Sequence, residues 1–140
     1  MSVELVNLTI ERFNSLFLHD SKLVGVSLFK VEEEDKAKIS LELLDEDGTF
    51  TPAEIIFKDC VYFQIDSYLA AKSMCGDAIS NAKCYGSSDW KIMVSEPSPY
   101  DPIRGGRGFE EHLHFSISMC PPGGTINVLA KDFSLQKTKA

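Results

Sequence analysis

The strongest constraint on the fold is a run of alternating apolar and polar residues that begins at Leu23. Alternation over Leu23–Lys30, and again over Ala37–Leu43, is typical of half-buried β-strands. The charged segment Glu32–Asp35 separates the two runs and predicts the turn of a hairpin. Asp45–Gly48 predicts the next turn, in which Gly48 can adopt a positive φ angle. The sequence therefore predicts an antiparallel meander.

More strands are expected farther along the chain. Residues Thr51–Asp66 are dense in aromatic and β-branched side chains and predict a long or broken third strand. Trp90–Val94 and His112–Met119 predict two others. Thr125–Ala130 predicts the last strand, with an extension to Leu135. The Pro-Pro-Gly-Gly sequence before that strand has the composition of a hairpin turn.

Helical periodicity is limited to short segments. In Ser2–Phe17 the residues Leu5, Leu8, Phe13, Leu16 and Phe17 recur at helical spacing, and this favours an amphipathic helix over an opening strand. Ser67–Met74 predicts a second short helix, and Ile79–Tyr85 fits either structure. Three prolines and three glycines in Glu96–Gly108 predict an exposed loop.

These elements predict a mainly β fold with a minor helical part. Six or seven strands form a mostly antiparallel sheet, folded as a sandwich or an open barrel, with one or two short helices. The length of 140 residues suits a single domain spanning residues 1–140. The tail at 137–140 is expected to fray.

Cysteine spacing and the absence of targeting segments indicate a reducing compartment. None of the four cysteines forms a Cys-x-x-Cys pair, so we expect buried free thiols, with two disulfides as the alternative for an exported protein; they are Cys60, Cys75, Cys84 and Cys120. Neither a secretory leader nor a run of about 20 apolar residues is present. The expectation is a cytoplasmic protein without a membrane span.

The net charge of −7 is unevenly distributed. Residues 1–70 carry 14 acidic and 6 basic side chains, whereas residues 71–140 carry 7 and 8. Nucleic-acid binding is disfavoured because phosphate contacts need clustered lysine and arginine. An acidic surface fits a basic protein partner, although acidity also serves solubility.

No complete catalytic motif is present, and no cofactor is expected. His112 and His114 project from the same face of a predicted strand and could chelate a metal, but a metal site needs further ligands. The Arg104–Gly108 stretch resembles a phosphate cradle in composition and lacks the spacing of one. Trp90, the single tryptophan, is a candidate for a core anchor or an interface hot spot.

One stretch carries a family resemblance. Leu18-His19-Asp20-Ser21, followed by the alternating strand from Leu23, resembles the opening of small bacterial β-domain immunity proteins of polymorphic toxin systems. The resemblance implies a non-catalytic protein that neutralises a cognate toxin by tight binding. Asp20 also suits a purely structural role in the turn that enters the strand.

The leading hypothesis is accordingly a non-catalytic protein-binding domain with a basic partner, such as a toxin. Candidate contacts lie on the two acidic turns and at the tryptophan: Glu32, Glu33, Glu34, Asp35, Asp45, Glu46, Asp47 and Trp90. The alternatives are an accessory or oligomeric subunit of a larger assembly, and a small metal-binding enzyme built around His112 and His114.

Overall fold

One helix and eight strands make up the part of the chain that the computed structural model describes, residues 3–67, 78–89, 91, 112–120 and 124–138. In chain order they are α1 (Val3–Asn14), β1 (Lys22–Val31), β2 (Glu34–Leu44), β3 (Phe50–Lys58), β4 (Tyr62–Ser67), β5 (Ile79–Tyr85), β6 (Leu113–Met119), β7 (Gly124–Ala130) and β8 (Asp132–Lys137).

The strands form two four-stranded antiparallel sheets. The first has the order β1-β2-β3-β8 and the second the order β4-β7-β6-β5. Their inner faces share one core, and the sheets do not close into a barrel. The predicted mainly β, antiparallel fold is confirmed.

Two of the predicted strands are each divided into two separate strands, so the described part of the chain contains eight strands. Thr51–Asp66 divides into β3 and β4, which belong to different sheets. The extension to Leu135 is likewise a separate strand, β8, that pairs with β3. Backbone hydrogen bonds hold these crossings: Cys60 N donates to Asp35 O at 2.8 Å, and Lys131 N donates to Lys58 O at 3.0 Å.

Four phenylalanines join the helix to both sheets. The ring of Phe13, in α1, lies 5.0 Å from those of Phe115 in β6 and Phe133 in β8, and 6.4 Å from that of Phe57 in β3. Phe57 and Phe115 are themselves 5.0 Å apart across the sheets. Edge-to-face and tilted rings at these separations stabilise the core beyond the area they bury.

The predicted opening helix is confirmed, but its buried face differs from the predicted one. Phe13 is fully buried, and the β-branched residues Val6, Thr9 and Ile10 lie on the same side. Leu5 and Leu8 face outward. The chain thus offers two apolar stripes, and packing against β5 and β8 selects the one that ends at Phe13. Within the described residues, no helix has the length and apolar character needed to cross a membrane.

Several predictions fall mainly outside the described residues. The short helix Ser67–Met74 lies there except for Ser67, which ends β4, and the loop Glu96–Gly108 lies there entirely. Of the strand predicted over Trp90–Val94 only Lys91 is described. The backbone of Lys91 is helical, and its amide donates a hydrogen bond to Ser88 Oγ at 3.1 Å.

The buried face of α1 can be tested by two truncations. We expect Phe13→Ala to lower the free energy of unfolding by about 3–5 kcal/mol, because it opens a cavity among three other rings. Leu8→Ala, at a side chain that is 52% exposed, should change it by less than about 1 kcal/mol. Urea unfolding followed by circular dichroism measures both. Equal losses would contradict the assigned face.

Candidate functional site

The first acidic segment is a two-residue hairpin turn. Val31 and Glu34 form the last strand pair, and the turn residues Glu32 and Glu33 have φ angles of 53° and 67°. Two successive positive φ angles are typical of a type I′ turn, which asparagine and glycine occupy most readily. Glutamate in this conformation costs about 1 kcal/mol or more per residue.

The four acidic residues predicted as one turn therefore have different surroundings. Glu34 and Asp35 begin β2 and form ion pairs, with Lys36 Nζ at 3.3 Å and Lys30 Nζ at 3.6 Å respectively. Glu32 and Glu33 are exposed and have no ion pair among the described residues. The hairpin tip thus presents two adjacent carboxylates to solvent.

An apolar groove lies beside this hairpin. Its volume is about 430 Å³, and it is lined by the end of β1, the start of β2 and the segment entering β4: Leu28, Phe29, Lys30, Asp35, Lys36, Cys60, Val61, Tyr62 and Phe63. Leu28 pairs with the fully buried Ala37 but is itself 64% exposed. Phe29, Val31 and Val61 are exposed nearby.

The groove lies on the side of the sandwich that the helix leaves open. Side chains of α1 cover strand edges on the other side. Asn14 Nδ2 donates to Cys84 O at 3.2 Å and its Oδ1 accepts from Cys84 N at 2.7 Å, while Arg12 donates to Phe133 O at 3.1 Å. These contacts satisfy backbone groups of β5 and β8. No such side chain covers β1 among the described residues.

The second acidic turn lies at the opposite end of β2, whose 11 residues span roughly 33 Å. Hydrogen bonds from Thr51 and Lys137 lower the pKa of Asp45, and the Thr49 hydroxyl and amide lower that of Asp47. Glu46 is exposed. The structure therefore does not bring the two predicted acidic turns together.

The His-Asp-Ser stretch forms a turn between α1 and β1. Asp20 has a φ angle of 67°, and its amide donates to Ile79 O at 2.8 Å. Ser21 is fully buried, and its hydroxyl accepts a hydrogen bond from Leu44 N at 3.0 Å. His19 and Asp20 form an exposed pair at 3.1 Å. These contacts fasten the start of β1 to β2 and β5, so the stretch has a structural role.

A hydrogen-bonded chain on the outer face of the second sheet was not foreseen from the sequence. Ser88 Oγ lies 2.7 Å from His114 Nδ1, and His114 Nε2 lies 2.7 Å from Asn127 Oδ1. Asn127 Nδ2 donates to Gln64 Oε1 at 3.2 Å. His114 and Asn127 are diagonal neighbours on β6 and β7, which only the strand register reveals.

These contacts fix the tautomer of His114. Asn127 Oδ1 can only accept, so Nε2 carries the proton and Nδ1 accepts from the Ser88 hydroxyl. Burial lowers the pKa of His114, which favours the neutral ring. A hydroxyl donating to an oriented imidazole is also the geometry of a serine nucleophile. Here the Ser88 oxygen also accepts a hydrogen bond from Lys91 N, and His114 is buried, so these hydrogen bonds join Ser88 to β6 and β7 on this face.

Metal coordination has little support among the described residues. They contain no group of three or more histidine, cysteine, aspartate or glutamate side chains placed to hold one. His112 precedes β6 and is buried, and both ring nitrogens of His114 are engaged in the bonds above. Burial raises the pKa of Cys60 to about 11 and that of Cys84 to about 12, which keeps both as thiols.

Two predicted features, Trp90 and the Arg104–Gly108 loop, lie outside the described residues. Comparisons with protein-family models, curated proteins and solved structures found no match to this chain.

Burial of His114 predicts a pH-dependent stability. Its folded pKa lies below the ordinary 6.5, so the unfolded chain binds the proton more readily. The stabilising contribution is complete above about pH 7.5 and declines as the pH falls through about 6.5. Urea midpoints of the wild type should fall over this range. The His114→Gln variant should be less stable than the wild type at about pH 7.5, and its urea midpoint should fall less as the pH is lowered. An equal fall of the midpoint in both proteins would refute the attribution of this pH dependence to His114.

Proposed function

We propose that this chain is a cytoplasmic, non-catalytic protein-binding domain whose binding surface is the β1–β2 hairpin and the groove beside it. We name this the hairpin surface: Leu28, Phe29, Val31, Glu32, Glu33 and Val61. The observation that carries the proposal is the left-handed Glu32–Glu33 turn next to exposed apolar side chains.

The composition of this surface supports protein binding. Interfaces commonly combine an apolar centre with a charged rim, and exposed apolar patches beside charged residues mark interaction sites. Leu28 and Phe29 supply the apolar centre, and the turn carboxylates supply the rim. Two carboxylates without ion pairs in the described structure can accept lysine or arginine from a partner without first breaking an internal bond.

The excess of acidic side chains around the hairpin favours a basic partner. The hairpin lies in the half of the chain that carries 14 acidic and 6 basic side chains, and such a field speeds encounter with a basic protein. The resemblance of the Leu18–Ser21 stretch to immunity proteins makes a cognate toxin our proposed partner. The structural role of that stretch neither requires nor opposes this partner.

The two alternative functions have different amounts of support. A subunit of a larger assembly is supported by the same hairpin surface, because an exposed strand edge can also pair with another chain. A metal-binding enzyme around His112 and His114 has less support, since Ser88 and Asn127 already engage both ring nitrogens of His114.

The binding proposal can be tested with two charge-reversal variants. The wild type, Glu32→Lys/Glu33→Lys and the control Glu11→Lys/Glu46→Lys are each used to capture proteins from the native host. We expect one dominant basic protein with the wild type and the control. That protein, purified, should bind the hairpin variant at least roughly tenfold more weakly in calorimetry, because facing like charges repel. Added salt should weaken the wild-type complex.

The control carries the same change of net charge at α1 and at the second acidic turn. If both variants bound the partner equally weakly, the effect would reflect the net charge of the protein and not a defined binding surface. Absence of any specific partner with the wild type would reject the proposed function.

A further inference from the structure

The groove beside the hairpin is an opening between the two sheets. Leu28 stands opposite the fully buried Ala37 and therefore belongs to the inner face of the first sheet. Phe63 stands opposite the fully buried Val128 and belongs to the inner face of the second sheet. Directly opposed residues of an antiparallel pair share a face. Both side chains line the groove, so it leads to the core that the two sheets enclose.

Core packing does not extend to the mouth of this groove. Val26 and Phe63 pack against the core, and Cys60 in the groove is only 9% exposed. Leu28 follows Val26 by two positions on the same face of β1, yet it is 64% exposed, and Val61 is 41% exposed. An apolar side chain placed in the groove would extend the core and remove this apolar surface from water, which favours binding.

The size and lining of the groove suit an aromatic side chain. Its volume of about 430 Å³ lies in the range of pockets that enclose small organic groups, roughly 300–1,000 Å³. Three of its lining side chains are aromatic: Phe29, Tyr62 and Phe63. Aromatic rings stabilise one another in edge-to-face and offset contacts, and aromatic residues are enriched among those that contribute most to protein–protein binding.

The charge at the mouth favours a cation beside that aromatic side chain. Four carboxylates and two ammonium groups surround the hairpin tip, a balance of −2: Glu32, Glu33, Glu34 and Asp35, with Lys30 and Lys36. Ion pairs at 3.3 and 3.6 Å match the two lysines with Glu34 and Asp35. The remaining charge is that of Glu32 and Glu33, which an arginine or lysine complements.

The spacing along the hairpin relates the two contacts. Glu32 follows Leu28 by four positions, about 13 Å along an extended strand. A partner segment that is also extended therefore carries its cation roughly four positions from its aromatic residue.

We propose that the groove receives an aromatic side chain from an extended segment of the basic partner, while an arginine or lysine of the same segment contacts Glu32 and Glu33. This inference rests on the proposed function and specifies the chemistry of the partner that the hairpin surface binds. Complementary charge at the tip and the open end of the core at the groove together carry it.

The test uses short capped peptides in a glycine–serine background, titrated into the full-length protein and followed by NMR of the backbone amides. The first peptide carries a phenylalanine and an arginine roughly four positions apart. The second has alanine in place of the phenylalanine, and the third has glutamate in place of the arginine. We expect the first to shift the amide signals of Leu28, Glu33 and Val61. It should bind at least roughly tenfold more tightly than the others, because each of them lacks one contact.

Two variants locate the contacts. Leu28→Ser should abolish the preference for phenylalanine over alanine, because it removes apolar surface from the groove and keeps the charge. Glu32→Lys/Glu33→Lys should reverse the preference between the arginine and glutamate peptides. The control Phe17→Lys should bind as the wild type does, because Phe17 is 70% exposed on another surface, between two smaller grooves. Circular dichroism confirms that each variant is folded.

Three outcomes would overturn the proposal. They are the absence of signal shifts at the highest soluble peptide concentration, equal binding of the phenylalanine and alanine peptides, and equal binding of the arginine and glutamate peptides. The last would show a groove that takes an apolar group whatever its charge.

Capture from the native host separates this inference from the proposed function. A basic partner that is captured by the wild type and lost with Glu32→Lys/Glu33→Lys, together with peptides that do not bind, would reject the inserted aromatic side chain and leave the binding function standing. Capture without any partner would reject the function and, with it, the partner specified here.

Discussion

The contact on which the rest of the structure depends is the cluster formed by Phe13, Phe57, Phe115 and Phe133. It joins one helix to both sheets, and all four rings are essentially buried. The cluster also fixes the side of the sandwich on which α1 lies. With the helix over β5 and β8, their edges are covered by Asn14 and Arg12, whereas among the described residues the outer edge of β1 has only the bridge from Lys22 to Ala78. The position of the hairpin surface is thus a consequence of core packing.

The sequence predicted those parts of the fold that depend on neighbouring residues. Alternation defined β1 and β2, and Gly48 does take a positive φ angle, of 86°. It did not reveal that the segment Thr51–Asp66 changes sheets, because a dense apolar run looks the same on one strand as on two. The change occurs at Asp59, with a φ angle of 50°, and is held by hydrogen bonds to distant strands.

The sequence predicted which kinds of residue make up the candidate site, but it did not predict how they are arranged in space. Four consecutive acidic residues indicated a charged turn, but the two-residue turn places Glu34 and Asp35 in β2, where cross-strand and neighbouring lysines engage them. The partners of His114 depend on the register of β6 with β7 and on a cap at Ser88. Neither follows from local pattern, since each joins residues distant in sequence.

Comparison of the two acidic turns strengthens the functional interpretation of the first. At the second turn Gly48 takes the left-handed conformation, and both Asp45 and Asp47 accept hydrogen bonds, so this turn is built for folding. The first turn places Glu32 and Glu33 in that conformation instead. Aspartate tolerates positive φ better than glutamate does, as Asp20 and Asp59 illustrate.

The carboxylates of the first turn form no ion pair among the described residues, and the neighbouring strand β1 exposes apolar side chains. A hairpin required only for folding would gain stability from asparagine and glycine at the two turn positions. Two glutamates in this conformation, beside an edge strand that α1 does not cover, support the proposal that this turn contacts another protein.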